Sequence, residues 1–175
     1  MNQKNRLSRQ QFIQKSLLTF GGLVLTSTAQ SQPQEKRGPL KGELVKEFVS
    51  VCHGNFDRAK ELLENEHLLL HASHDWGGGD FEAGIEAAGH VGNKEIANYL
   101  LSKGARYNVF LACMLGHLDT VKNILAFQPG LLHSKEPHGF TLLHHAEKGG
   151  DEAKAVVDYL TGLGARDTII DFWKK

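Results

Sequence analysis

A chain of 175 residues, 41% hydrophobic and 23% charged, is sized for one folded domain with a real core, and its composition excludes disordered, collagenous and multi-spanning membrane classes. Its 20 basic and 20 acidic residues cancel unevenly, because Lys4, Arg6, Arg9 and Lys15 all precede the first acid, Glu35. Without that segment the remainder is net negative, so it lacks the basic footprint that recruits phosphate backbones, and nucleic acid is not an expected partner.

The first elements in chain order read as an export signal. Met1 to Lys15 is polar and basic, Leu17 to Leu25 (LLTFGGLVL) is apolar, and Ser27-Thr28-Ala29 supplies small residues for signal peptidase. The apolar run is about half the ~20 residues of a spanning helix, so no stable membrane insertion is expected after cleavage. Ser8-Arg9-Gln10-Gln11-Phe12-Ile13 resembles the twin-arginine export motif, with Gln10 where the second arginine belongs. The twin-arginine and general secretory routes both stay open, and either implies a periplasmic or secreted protein. Residues 30–41, with two prolines, read as a linker.

Beyond the linker, four segments align: 46–65, 84–105, 108–126 and 140–165. Each pairs a short apolar helix with a second apolar helix across a glycine, at Gly54, Gly92, Gly116 and Gly150 in turn. Those glycines are expected in the left-handed conformation that ends a helix without strain. Ser50, Ala88, Gly89, Ala112, Cys113 and Ala146 are small where first helices press on their neighbours. Thr141-Leu142-Leu143-His144, Gly116-His117, Gly104-Ala105 and Gly164-Ala165 resemble the motifs of the ankyrin repeat. The resemblance implies an all-α, ankyrin-like helical repeat solenoid of about four irregular repeats over residues 42–167. A C-terminal cap at 168–175 would cover the last repeat with Ile169, Ile170, Phe172 and Trp173. The turn glycines are spaced 38, 24 and 34 apart, against about 33 in the family. The first interval implies an overgrown finger at Leu68 to Glu82, the second almost no finger at Tyr107 to Val109.

Candidate chemistry is sparse. His67, His71 and His74, followed by Asp75, have spacings that suit zinc only if they share a helix. Leu68 to Leu70 leave a helix and 75–79 is loop, so no metal site and no cofactor are expected. A small periplasmic metal-binding protein or hydrolase using these three histidines is the alternative reading. Trp76-Gly77-Gly78-Gly79-Asp80-Phe81 lacks the following Lys-Ser/Thr and the preceding buried strand of a phosphate loop. Either its aromatics pack the finger onto the helices or they form a recognition hot spot. Asp75, Asp80 and Glu82 read as solvated contacts on the finger. Cys52 and Cys113, 61 positions apart, read as small buried hydrophobes, and adjacent Cys52 and His53 cannot form a thiolate–imidazole pair. The expectation is a monomeric, non-enzymatic scaffold that binds an unknown protein partner. As the family resemblance implies, the contact runs through finger tips and concave face, with Asp75, Trp76, Asp80, Phe81 and His138 as the candidate partner-binding residues.

Overall fold

The computed structural model describes residues 38–171. The expected export signal, most of the expected linker, and Phe172 and Trp173 of the expected cap lie outside the described residues. Those residues form a mostly helical fold with eight α-helices and one two-stranded hairpin, so the all-α expectation is corrected by a small sheet. In chain order the elements are α1 (Gly42–Val51), α2 (Phe56–Asn65), β1 (Ser73–Asp75), β2 (Phe81–Ala83), α3 (Gly84–Val91) and α4 (Lys94–Ser102). They continue with α5 (Val109–Met114), α6 (Leu118–Phe127), α7 (Leu142–Lys148) and α8 (Lys154–Gly162). Among these elements no helix is long and apolar enough to cross a membrane.

Local chemistry sets most of the boundaries. Asn55, Asn93 and Asn108 each accept a backbone N–H of the helix that follows, capping α2, α4 and α5. Gly92 ends α3 at φ 78°, where an added Cβ would strike the carbonyl of Lys148 on α7. Only glycine tolerates both the left-handed backbone and that approach. Gly116 and Gly150 also take positive φ, but Gly54 does not: α1 ends right-handed at Cys52, contrary to the sequence expectation. Ser50 is exposed rather than pressed against a neighbour, whereas Ala88, Gly89, Ala112, Cys113 and Ala146 are buried as expected.

Two apolar clusters make up the core. One gathers α1 to α4, and the other gathers α6 to α8. The short helix α5 belongs to both, since Leu111 and Met114 enter the first and Val109, Phe110, Ala112 and Cys113 the second. All six of its residues are buried, the pattern of a helix with no solvent face. α3 packs on α5 and also directly on α7. Both cysteines are free and buried, and burial pushes each thiol up to about 12.

The expected length irregularities correspond to visible differences. The long interval holds a 3-10 turn at His67–His71 followed by the hairpin, in the register Ser73 to Ala83, His74 to Glu82 and Asp75 to Phe81. The short interval, 103–108, carries no strand, and its chain passes directly into the Asn108 cap. Before α7 the chain makes a tight turn at Pro137–Gly139, then meets residues 167–170 through bonds from Thr141 N–H to the Thr168 carbonyl and Ile170 N–H to the Gly139 carbonyl. Ile169 of the expected cap is itself 57% exposed.

Candidate functional site

The hairpin is shaped by its loop. Gly77, Gly78 and Gly79 all have positive φ, and the Asp75 carboxylate accepts the N–H groups of Gly77 and Gly79 at 2.9 and 3.2 Å. Trp76 N–H bonds the Asp80 carbonyl at 3.0 Å, closing the reversal. Strand alternation then turns neighbouring side chains to opposite faces. Phe81 points outward and is 59% exposed, while Glu82 points inward and is fully buried.

Glu82 is the centre of the site. Its Oε2 accepts the Trp76 indole N–H at 2.7 Å. Its Oε1 is faced by three imidazole nitrogens: His90 Nδ1 at 3.1 Å, His53 Nε2 at 3.6 Å and His138 Nε2 at 3.6 Å. None of these contacts has hydrogen-bond geometry, so Oε1 is a buried oxygen without a hydrogen-bond donor. Burial pushes the Glu82 carboxyl up, but the adjacent His90 ring, the Trp76 indole N–H and the charge of His53 outweigh it, and the group is held below the usual carboxylate range.

Each histidine is oriented by a separate element. His53 follows α1, with Nδ1 at 3.1 Å from the carbonyls of both Val49 and Ser50. His90 lies near the end of α3, its ring 4.9 Å from that of His53 and 4.9 Å from Phe140. His138 sits in the Pro137–Gly139 turn, where Asp80 clamps it twice: Oδ1 accepts the backbone N–H at 2.9 Å, and Oδ2 lies 2.6 Å from Nδ1. His138 is also the one non-glycine residue with positive φ among the described residues, at 62°. A non-glycine residue enters that region at a cost, and the Asp80 clamp holds it there.

Three of the sequence candidates, Trp76, Asp80 and His138, are therefore brought together around Glu82. Asp75 instead serves the glycine loop, and Phe81 stands apart on the opposite face. Phe81 does not pack the finger onto the helices; Trp76 does, through Glu82 and with Lys46 Nζ 5.9 Å from its ring centre. The reading of Glu82 as a solvated finger residue is corrected by its full burial on the inner face of β2. His53, Glu82 and His90 were not legible as a set because no local spacing joins them. One signal was present: His53 precedes Gly54 and His90 lies two residues before Gly92, so two successive first helices end in histidine.

His67, His71 and His74 do not converge. Among the described residues, the His/Cys/Asp/Glu group with ligand atoms all within 4.8 Å of one another is His53, Glu82 and His90. His67 and His71 instead border a cleft of about 460 Å³ with Leu63, Leu70, Tyr99 and Lys103. His74 lies on β1 with its ring 4.6 Å from that of Trp76, edge-on. His117 and His144 make structural bonds, to the Tyr107 hydroxyl at 2.6 Å and the His90 carbonyl at 2.9 Å.

A buried ionised carboxylate faced by three imidazole edges is an arrangement that holds positive charge. Neither cysteine is an activated thiolate, since burial pushes both thiols far above neutral pH. No protein-family model matches the chain, and no curated protein resembles it.

Proposed function

We propose that the chain is an exported, ankyrin-like repeat scaffold that binds a protein partner through its hairpin finger and the adjoining concave face. Four consecutive helix pairs, glycine turns and the Gly104-Ala105 and Gly164-Ala165 endings support the repeat reading. Export rests on the basic, apolar and small-residue order of positions 1–29.

The observation that carries this reading is Phe81. A large aromatic side chain left 59% exposed on a strand that is bonded into the fold on its other face is a preorganised anchor. Exposed aromatics on rigid elements contribute heavily to binding because little ordering cost accompanies their burial. Trp76 and Asp80 are weaker probes of the surface, because their substitution also undoes bonds to Glu82 and His138.

The test is Phe81→Asp. Immobilised wild-type and variant chains are offered envelope extract of the native host, and captured proteins are quantified. At least one protein should be depleted about thirtyfold on the variant, the scale of a 2 kcal/mol hot spot, with the melting temperature unchanged. Identical capture by both chains would remove Phe81 as the anchor and the finger as the recognition element.

A further inference from the structure

We propose that His53, Glu82 and His90, with His138 beside the carboxylate, form a binding site for one divalent transition-metal ion of the zinc class. The proposal is independent of any docked partner and rests on four observations.

The first is distance. Ligand atoms held about 2.0–2.1 Å from a zinc ion at tetrahedral corners stand about 3.3–3.4 Å apart. The three nitrogens around Glu82 Oε1 lie at 3.1, 3.6 and 3.6 Å from it, bracketing that edge length. These separations are too long for hydrogen bonds in the cases of His53 and His138, and the ligand atoms of His53, Glu82 and His90 all lie within 4.8 Å of one another, as atoms about a common centre must.

The second is tautomer. His53 Nδ1 meets two backbone carbonyls, which can only accept, so that nitrogen carries the proton. His138 Nδ1 lies 2.6 Å from the Asp80 carboxylate, which likewise calls for a proton on Nδ1. In neutral rings the lone pairs of both Nε2 atoms then face a carboxylate oxygen. Lone pairs and a carboxylate repel one another unless a cation stands among them. A proton on one ring would serve that ring alone, whereas one metal ion serves all the ligand atoms together.

The third is the unpartnered oxygen. Glu82 is fully buried, its Oε2 is satisfied by Trp76, and its Oε1 has no hydrogen-bond donor yet is aimed into the histidine cluster. Such an orphan is rare in folded proteins because burial removes water as the alternative partner.

The fourth is the outer layer. Metal-bound histidines generally donate their second N–H to a carbonyl or carboxylate, which fixes the ring and raises its basicity. The Val49 and Ser50 carbonyls do this for His53, Asp80 does it for His138, and the Trp76 indole fixes the carboxylate of Glu82. The side chains of His53 and His138 are 32% and 30% exposed, which gives an ion a path from solvent. Imidazole and carboxylate ligands favour zinc and its first-row neighbours over calcium or magnesium, which take oxygen shells.

The full chain, purified without an affinity tag and stripped with chelator, is titrated with Co2+, whose visible absorption becomes intense in tetrahedral coordination. One equivalent should produce that absorption, and Zn2+ should displace it. His53→Ala and Glu82→Gln should each lower affinity at least about a hundredfold, and Asp80→Asn, which acts through His138, by about 10–100-fold. His71→Ala should change nothing. If Glu82→Gln fails to fold, His53→Ala decides the matter, because its ring is one-third exposed. Absence of the absorption at one equivalent would overturn the site, as would its survival in His53→Ala or its loss in His71→Ala. None of these outcomes depends on partner capture, so the two proposals fail separately.

Discussion

Among the described residues, two buried glutamates face histidine, and their surroundings differ. Glu136, in the loop before α7, has one carboxylate oxygen bonded by the Asn108 amide and the other 3.0 Å from His145 Nε2. His145 is itself fixed by Nδ1 bonding the Thr141 carbonyl at 2.8 Å. His145 Nε2 makes no hydrogen bond at that distance, so this pair also leaves a buried atom without a partner, but only one ring faces the carboxylate. Glu82 has one oxygen equally well provided for by Trp76, but three rings crowd the other, and a single proton leaves two of them facing the carboxylate. The contrast shows that burying a carboxylate beside a histidine is within the ordinary means of this fold. Collecting three histidines from three separate elements is an additional arrangement that core stability alone does not require.

The largest expected effect separates the two glutamates. In chelator-treated protein, Glu136→Ala strips Asn108 and His145 of their shared partner and should cost about 3 kcal/mol in a denaturant titration. Glu82→Gln keeps an acceptor for Trp76 and relieves a buried charge, so it should cost about 1 kcal/mol or less under the same conditions. Equal losses would make Glu82 a structural partner like Glu136 and erase the distinction.

A second variant works on the site from its C-terminal side. Gly139 follows His138 at φ 78°, and an added Cβ would collide with the Ile170 carbonyl oxygen. Gly139→Ala should destabilise the fold by about 1–3 kcal/mol and shift the His138 turn, while the bond of Trp76 to Glu82 stays in place. Proton NMR of the Trp76 indole N–H reads the second half of this expectation; a displaced resonance would show that the hairpin depends on the turn.

The smallest effect lies in the pH dependence of stability and has two opposing parts. Burial pulls the His144 imidazole down to about 4, against which the bond to the His90 carbonyl works. A depressed imidazole is stabilising above its unfolded value of about 6.5, and that contribution is lost as pH falls toward 4. Burial pushes the Glu86 carboxyl up to about 7, against which the Ala83 N–H works. Its contribution is present below the ordinary carboxylate range and is lost as pH rises toward 7. The two should nearly cancel in the wild type. His144→Gln should leave stability falling from pH 4.5 to 7, and Glu86→Gln should leave it rising from pH 4 to 6.5. Each slope should amount to about 1–2 kcal/mol once partial solvent screening is allowed for. A pH-independent difference between either variant and the wild type would show that the group does not titrate as assigned.

Much of the helical order was legible because it is local. The apolar spacing of Val121, Ile124 and Leu125, the asparagine caps and the glycines at 92, 116 and 150 each act within a few residues, where sequence and geometry coincide. Gly54 misled because the chain after α1 turns through right-handed residues, so a glycine in the aligned position has no left-handed role there. The site was half legible. Trp76, Asp80 and His138 stood out by residue type and loop position, and Phe81 by its apolar character. Glu82 was hidden because a three-residue strand is too short to announce which face is buried. His53 and His90 were hidden because their proximity arises only when α1 and α3 pack side by side.

The connection that carries the hairpin is long, and the one at 103–108 is short. Asp80 on the hairpin and His138 in the later turn are 58 positions apart, yet they touch, across an interval where residues 103–108 raise no strand of their own. The hairpin thus reaches a turn that lies far along the chain. Surface connections usually absorb insertions freely, but a change of length in this hairpin would move Asp80 off His138, so the geometry around Glu82 is encoded in the length of a connection as much as in its side chains.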